Sequence, residues 1–397
     1  MTQPAEGPTT ASTDPAAAPT LAEITNLGDI TRLHATCTDR LAFIDLRDPE
    51  TPAGYSYPEV AHLVSAAATD LRSRSFEPGA RIGIMSANRV EYVIAYLGIM
   101  QAGLVAVPIN IKSGSDVLDH IVRDASVAMT FVDHAGRKAL AGRSSVIDFD
   151  DPHTPYLQHL LAAAPAPAGP GPAVDVAEML YTSGSSGVPE GVPLTHEGQL
   201  WALRTISAEA PRRIETQIIA QPLFHMNGLI TLCRGIALGF TTIICPRFEA
   251  SAYVAAIENY SVTTVAAVPT MWIRAMREVG DDPSKLSSVR SLSLGSAPIT
   301  VEQVARISEQ IPAAQVIVSY GTTESGPAIF GAHPRGLERP PLALGHPLDG
   351  SEVKLVGGPD DDHGVLMMRN PAVTSGYHQL PEPRLQSSTT GGTPAAT

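Results

Sequence analysis

From Arg81 onward, short apolar and β-branched runs alternate with stretches of helical periodicity, and this alternation limits the folds open to the chain. Residues 82–85 read as a buried strand. Val90, Val93, Ile94, Leu97 and Met100 follow at helical spacing, and Asn88 with Glu91 three positions later has the pattern of an N-cap and capping box. Further strands are expected at 106–108, 128–132, 218–220, 242–245, 264–267, 291–294 and 315–318, with helices at 116–122, 253–260 and 301–310. Strands joined through helices close most simply into parallel sheets covered by helices. The expected fold class is therefore α/β, with mostly parallel sheets sandwiched by helices in two lobes. Residues 352–356 and 365–368 read as short strands of an added small β subdomain.

The stretch AAAPAPAGPGP at 162–172 reads as a low-complexity linker between the lobes. The expected division is a disordered leader over 1–20, a first lobe over 21–161, a linker over 162–173, a second lobe over 174–348, the β subdomain over 349–382 and a disordered tail over 383–397. A formal charge of −13 over 397 residues repels phosphate backbones, so no nucleic-acid partner is expected. The three cysteines, Cys37, Cys233 and Cys245, have no paired spacing and read as reduced thiols rather than a zinc site or disulfides. The leader lacks a basic start and an apolar run, so it does not read as a signal peptide. No apolar stretch reaches ~18 residues, so no membrane span is expected. These features point to the cytoplasm.

The chemistry is concentrated in four places. Tyr181-Thr182-Ser183-Gly184-Ser185-Ser186-Gly187-Val188-Pro189-Glu190-Gly191 follows an apolar run. Its glycines let successive N–H groups turn toward one anion, and its hydroxyls add donors, which makes a phosphate cradle. No Lys-Ser/Thr pair follows at the spacing of a Walker loop. Tyr320-Gly321-Thr322-Thr323-Glu324 follows the strand expected at 315–318, and hydroxyls with one carboxylate suit a phosphate-bound Mg²⁺. Between them lie Pro222-Leu223-Phe224-His225-Met226-Asn227-Gly228 and Gly295-Ser296-Ala297-Pro298. Each alone has a plainer reading: a flexible connector, a solvated turn, a core histidine, a tight turn.

Together and in this order, with RIGIMSANRVEYVIAYLGIMQAGLVAVPIN at 81–110, VPT at 268–270 and PAVTSGYHQLPE at 371–382, the motifs resemble the adenylate-forming superfamily of acyl-CoA synthetases. The resemblance runs over about 81–382 and implies an AMP-forming acyl-CoA ligase that uses ATP, Mg²⁺ and coenzyme A. Its partners would be a small carboxylic acid and a thiol, either coenzyme A or a carrier protein. It implies that Thr182, Ser183, Gly184, Ser185, Ser186 and Gly187 hold the ATP phosphates. Thr323 would bind phosphate and Glu324 the metal, with Thr322 beside them. Gly295, Ser296, Ala297 and Pro298, with Tyr320 and Gly321, would line the adenine and acyl pockets, and His225 would stand near the substrate carboxylate. Thr182, Glu324 and His225 form the expected catalytic set. The string PLFHMNG and the PIN at 108–110 are more similar to acyl-CoA ligases than to amino-acid adenylation domains, which carry an Asp after the Phe.

The sequence departs from that pattern in three places. Glu190 stands where the resemblance implies Lys, and Val365 where it implies Glu. The Gly-Asp motif that binds ribose, the hinge and a small lysine-bearing domain are not found in the sequence. Two function classes stay open: an acyl-CoA ligase impaired as written or completed by another chain, and a non-catalytic nucleotide- or acyl-binding relic. The tail PRLQSSTTGGTPAAT reads either as a natural disordered end or as a reading-frame slip. Back-translated with chosen codons and shifted by one base, it reads ATAVFDDGWYAGGDL, which is similar to the family's continuation and contains the missing Gly-Asp. On the second reading, resequencing is expected to find an open frame downstream encoding the lysine-bearing domain; a closed frame there rejects it.

Overall fold

The computed structural model describes residues 18–162, 174–184, 187–208, 213, 215–280, 282–360 and 362–380. Most of the expected leader and linker, Ser185, Ser186 and the expected tail lie outside the described residues. The chain enters through a 3-10 turn, Leu27–His34, and a hairpin of β1 (Leu41–Asp45) and β2 (Ala53–Ser56). Next come α1 (Tyr57–Ser73), β3 (Arg81–Met85), α2 (Val90–Gln101), β4 (Val105–Pro108), α3 (Ser115–Asp124), β5 (Met129–Val132), α4 (His134–Ala139), β6 (Ser145–Asp148) and α5 (Tyr156–Ala162). A second hairpin, β7 (Val176–Ser183) and β8 (Pro189–Thr195), leads into α6 (His196–Ala208) and β9 (Thr216–Ile219). The series continues with α7 (Met226–Leu238), β10 (Thr241–Ile244), α8 (Ala250–Asn259), β11 (Thr264–Ala267), α9 (Pro269–Val279), β12 (Ser291–Leu294), α10 (Val301–Gln310) and β13 (Gln315–Val318). Two small ribbons close it: β14 (Phe330–Gly331) with β15 (His346–Pro347), and β16 (Glu352–Val356) with β17 (Val365–Arg369).

The α/β expectation holds. Six strands form one sheet in the order β6-β5-β3-β4-β7-β8, parallel except for β8. Seven form the other, β13-β12-β11-β9-β10-β1-β2, parallel except for β2. The strands sort differently from the division expected at 162–173. The β7–β8 hairpin, beyond that stretch, joins the earlier sheet, and the β1–β2 hairpin joins the later one, where Phe43 pairs with Thr242. Edge pairing explains both: each hairpin offers one strand to a parallel neighbour and leaves the other as an antiparallel edge.

Helix α2 is apolar almost all round, so it has no solvent face to offer, and all twelve of its residues are buried. Val93, Ile94, Leu97 and Ile99 are wholly inaccessible, each worth ~1.5–3 kcal/mol of burial. Gly98 lets α1 come close, since a Cβ there would stand 2.8 Å from that of Ala67. The expected capping box at Asn88 is not formed. Arg89 is the N-cap residue and makes no side-chain cap bond. Asn88 turns instead to the other sheet, donating to the Gln221 and Cys245 carbonyls at 2.9 and 3.1 Å and accepting from Leu223 N–H at 2.9 Å. The first turn of α2 is capped from the other sheet, by Asp45 of β1 accepting from Val90 N–H at 3.0 Å. Glu91 pairs with Arg89 at 2.9 Å and Arg47 at 3.1 Å, and Arg89 reaches Asp150 at 2.7 Å. Cys233 and Cys245 are buried free thiols, and burial pushes Cys245 up to about 12.

Glu178 of β7 is buried among Tyr96, Gln199, Leu229 and Cys233, with Tyr96 Oη donating to it at 2.9 Å. Desolvation raises its pKa from 4.5 to about 7, opposed by that hydrogen bond. The folded state therefore keeps this carboxyl neutral while the unfolded chain ionises it. The favourable balance is complete below pH 4.5 and is lost as pH rises to about 7, an upper bound of about 3 kcal/mol. Glu178→Gln is expected to match the native chain in melting temperature at pH 4.5 and exceed it increasingly up to pH 7.5. A constant difference across that range refutes the assignment.

Candidate active site

The loop between β7 and β8 is held at its base by the antiparallel ladder, which pairs Thr182 with Glu190 and Ser183 with Pro189. Directly opposed residues share one face, so Thr182 and Glu190 project together. Gly187 has φ +80, a conformation that favours glycine, and its N–H donates to the Gly184 carbonyl at 2.9 Å. A Cβ on Gly184 would stand 2.4 Å from the Val188 carbonyl and 2.9 Å from Glu190 Cδ. The loop thus folds over itself with the Glu190 side chain against its backbone. Ser185 and Ser186 lie outside the described residues.

The second loop leaves β13 and turns at once. Thr322 bridges to Gly326, and Ser325 N–H donates to Thr322 Oγ1 at 3.1 Å. The Thr322 hydroxyl is thereby engaged within the turn, 2.9 Å from Ser325 Oγ. Glu324 is presented from this turn toward β7. Thr182 Oγ1 donates to Glu324 Oε1 at 3.5 Å across 142 residues of sequence, and Tyr377 Oη donates to the same oxygen at 3.1 Å. Burial raises the Tyr320 pKa, and the Glu324 charge adds to the rise.

Beside this contact lies a cavity of about 400 Å³. Thr182, Ser183, His225 and Thr323 line it, so three separate motifs meet there. Its wall is completed by Asn110, Ser113, Val117, Ile121, Phe224 and Met226, among others. His225 precedes α7, its ring tilted against Phe224 with centroids 4.6 Å apart, and desolvation lowers its pKa. At neutral pH it is an uncharged imidazole. Gly295, Ser296, Ala297 and Pro298 follow β12 and do not line this cavity. Asn227, the residue after the lining Met226, donates its amide to Ser296 Oγ at 3.0 Å. Ser296 holds φ +63, and Gly295 lies where a Cβ would meet Ser319 Oγ at 2.5 Å. Tyr320 and Gly321 sit at the exit of β13, with Tyr320 6.4 Å from the Phe330 ring. Sequence reasoning singled out neither Asn227 nor Tyr377 by role, although both lie inside strings it used.

Among the described residues, no three His, Cys, Asp or Glu side chains converge as a metal cage. The donor set present is one carboxylate and hydroxyls, hard oxygen ligands that suit a Mg²⁺ shared with phosphates. No helix of the described residues is long and apolar enough to cross a membrane.

The AMP-binding enzyme family model matches residues 31–378. The chain belongs to the AMP-binding enzyme family. Among its relatives, this AMP-binding enzyme is 30% identical over 343 residues to a feruloyl-CoA synthase of Amycolatopsis sp, covering 82% of this chain and 67% of that one. It is 26% identical over 381 residues to 4-coumarate–CoA ligase 1 of Petroselinum crispum, covering 88% and 70%. These relatives place it with the AMP-forming acyl-CoA ligases. In fold it resembles ATP-bound MatB from Rhodopseudomonas palustris, with a TM-score of 0.79, 24% identity and coverage of 92% and 73%.

Glu190 brings a carboxylate to the loop of an AMP-binding enzyme, against Gly184 and on the face of Thr182. Coulomb energy at ~6 Å and an effective dielectric of ~20–80 is about 0.7–3 kcal/mol per charge pair. Glu190→Lys is expected to tighten ATP binding about threefold or more at low salt, with the gain shrinking as salt rises. Titration calorimetry across a salt series checks this, and an unchanged affinity at every salt places the charge away from the nucleotide.

Proposed function

We propose that this chain binds Mg²⁺·ATP between the β7–β8 loop and the turn after β13 and activates a carboxylic acid as its acyl adenylate. The observation that supports it most is the meeting of Thr182 with Glu324 at the rim of a cavity that His225 and Thr323 also line. In this reading Thr182, Ser183, Gly184 and Gly187 cradle the phosphates through hydroxyls and backbone N–H groups. Thr323 contributes a phosphate contact, and Glu324 supplies the carboxylate ligand of Mg²⁺. Mg²⁺, when held there, would neutralise phosphate charge. A substrate carboxylate oxygen attacks the α-phosphorus and pyrophosphate leaves. The residues contribute positioning and charge neutralisation rather than covalent chemistry. His225, uncharged at neutral pH, offers a hydrogen bond at the cavity wall without a competing charge. Gly295, Ser296, Ala297, Pro298, Tyr320, Gly321 and Thr322 form the adjoining wall for adenine and acyl group. In the second half-reaction the sulfur of coenzyme A attacks the acyl carbonyl carbon, the bond to the adenylate oxygen breaks so that AMP leaves, and the thiol proton is released to solvent.

The names of the relatives, feruloyl-CoA synthase and 4-coumarate–CoA ligase, make aryl-propenoic acids the first substrates to test. Pyrophosphate exchange with ferulate, 4-coumarate and a series of aliphatic acids distinguishes them. Glu324→Ala is expected to abolish the Mg²⁺ dependence of ATP binding and to slow exchange by ~10²–10³-fold. Equal ATP affinity in the two proteins, with and without Mg²⁺, overturns the assignment.

A further inference from the structure

The stretch after β17 crosses back over the site and is fastened on both sides of it. Asn370 Nδ2 donates to the Ser325 carbonyl at 3.1 Å, and Thr374 N–H to the Glu324 carbonyl at 2.8 Å. Thr374 Oγ1 donates to the Pro193 carbonyl of β8 at 2.8 Å, and His378 N–H to the Gly191 carbonyl at 2.7 Å. Side chains of His378 and Gln379 meet the Asp124 carbonyl at the end of α3, at 3.1 and 3.0 Å. Gly326 and Ala372 are in direct contact: a Cβ on Gly326 would lie 2.6 Å from that of Ala372. The strap therefore joins three elements that border the cavity, and from its middle the Tyr377 hydroxyl reaches Glu324 Oε1.

We infer that Tyr377 is a positioning residue that aims the Glu324 carboxylate at the cation, an inference that rests on the metal-binding reading of Glu324 above. A glutamate side chain turns about three torsions, so an unheld carboxylate pays orientational entropy on binding an ion. Here both hydroxyl donors bind the same oxygen, which leaves Oε2 as the oxygen presented to a ligand. The two donors are unequal. Thr182, at 3.5 Å, is at the limit of a hydrogen bond and is free to turn toward an incoming phosphate. Tyr377, at 3.1 Å and anchored by the strap, keeps its hold when Thr182 leaves. Outer-sphere partners of this kind tune metal affinity by ~10–100-fold.

The test is calorimetric binding of ATP to the full chain over a Mg²⁺ series, in the native protein, Tyr377→Phe, Glu324→Gln and the double variant. Phe keeps the ring where it packs on the core and deletes only the donor. The half-saturating Mg²⁺ concentration is expected to rise about tenfold in Tyr377→Phe. Its melting temperature without nucleotide should stay unchanged, and no further shift should appear on the Glu324→Gln background. A native Mg²⁺ curve in Tyr377→Phe beside a shifted one in Glu324→Gln overturns the inference alone. A native curve in Glu324→Gln overturns both the inference and the reading of the site. A lowered melting temperature at an unchanged Mg²⁺ curve marks a packing role and also overturns the inference.

Discussion

The joint between the two sheets depends on one buried amide. Asn88 lies in the loop between β3 and α2 and satisfies three backbone groups of the neighbouring sheet's loops, two carbonyls and one N–H. An apolar residue there would leave those groups buried without partners, at ~1–3 kcal/mol each. The same corner holds Asp45 on the α2 N-terminus and the Arg47–Glu91–Arg89–Asp150 chain of charges. Most of the remaining α2 side chains are apolar, and apolar contacts tolerate more packings. The polar corner accepts few, so it fixes which end of one sheet faces which end of the other.

That alignment decides where chemistry is possible. Parallel strands place their carboxyl ends along one rim, and loops from that rim can converge. His225 follows β9, Ser296 follows β12 and Glu324 follows β13, all in the seven-stranded sheet, whereas Thr182 ends β7 in the six-stranded one. The Thr182–Glu324 contact is therefore an inter-sheet contact, and any rotation at the Asn88 corner would separate the pair.

Local signals were legible and distant ones were not. The strands at 264–267, 291–294 and 315–318 and the helix at 301–310 are read from the sequence with their observed bounds, because short β-branched runs between turn residues have few alternatives. The Asn88 capping box was misread because its pattern is local, while the winning hydrogen bonds come from residues 221, 223 and 245. The sheets draw strands from both sides of the stretch at 162–173 for the same reason: sheet membership is set by edges that lie far away in sequence. In the candidate site, the loop and turn residues were legible as donors and a carboxylate. Tyr377 was not, since a tyrosine in a polar string gives no sign of the partner it will meet.

The placement of β1 has a consequence for how the protein is made. Phe43 pairs with Thr242, so this strand completes its sheet only after roughly 200 further residues exist. At a synthesis rate of ~5–20 residues per second, its parallel edge waits about 10–40 s without its partner. Meanwhile it carries an apolar strand, LAFID, whose backbone donors and acceptors are open to other chains. The six-stranded sheet needs only residues up to Thr195 and can close first. The ribosome thus delivers the second sheet's edge long before its centre, and the early N-terminal hairpin is the segment that most needs shielding during translation.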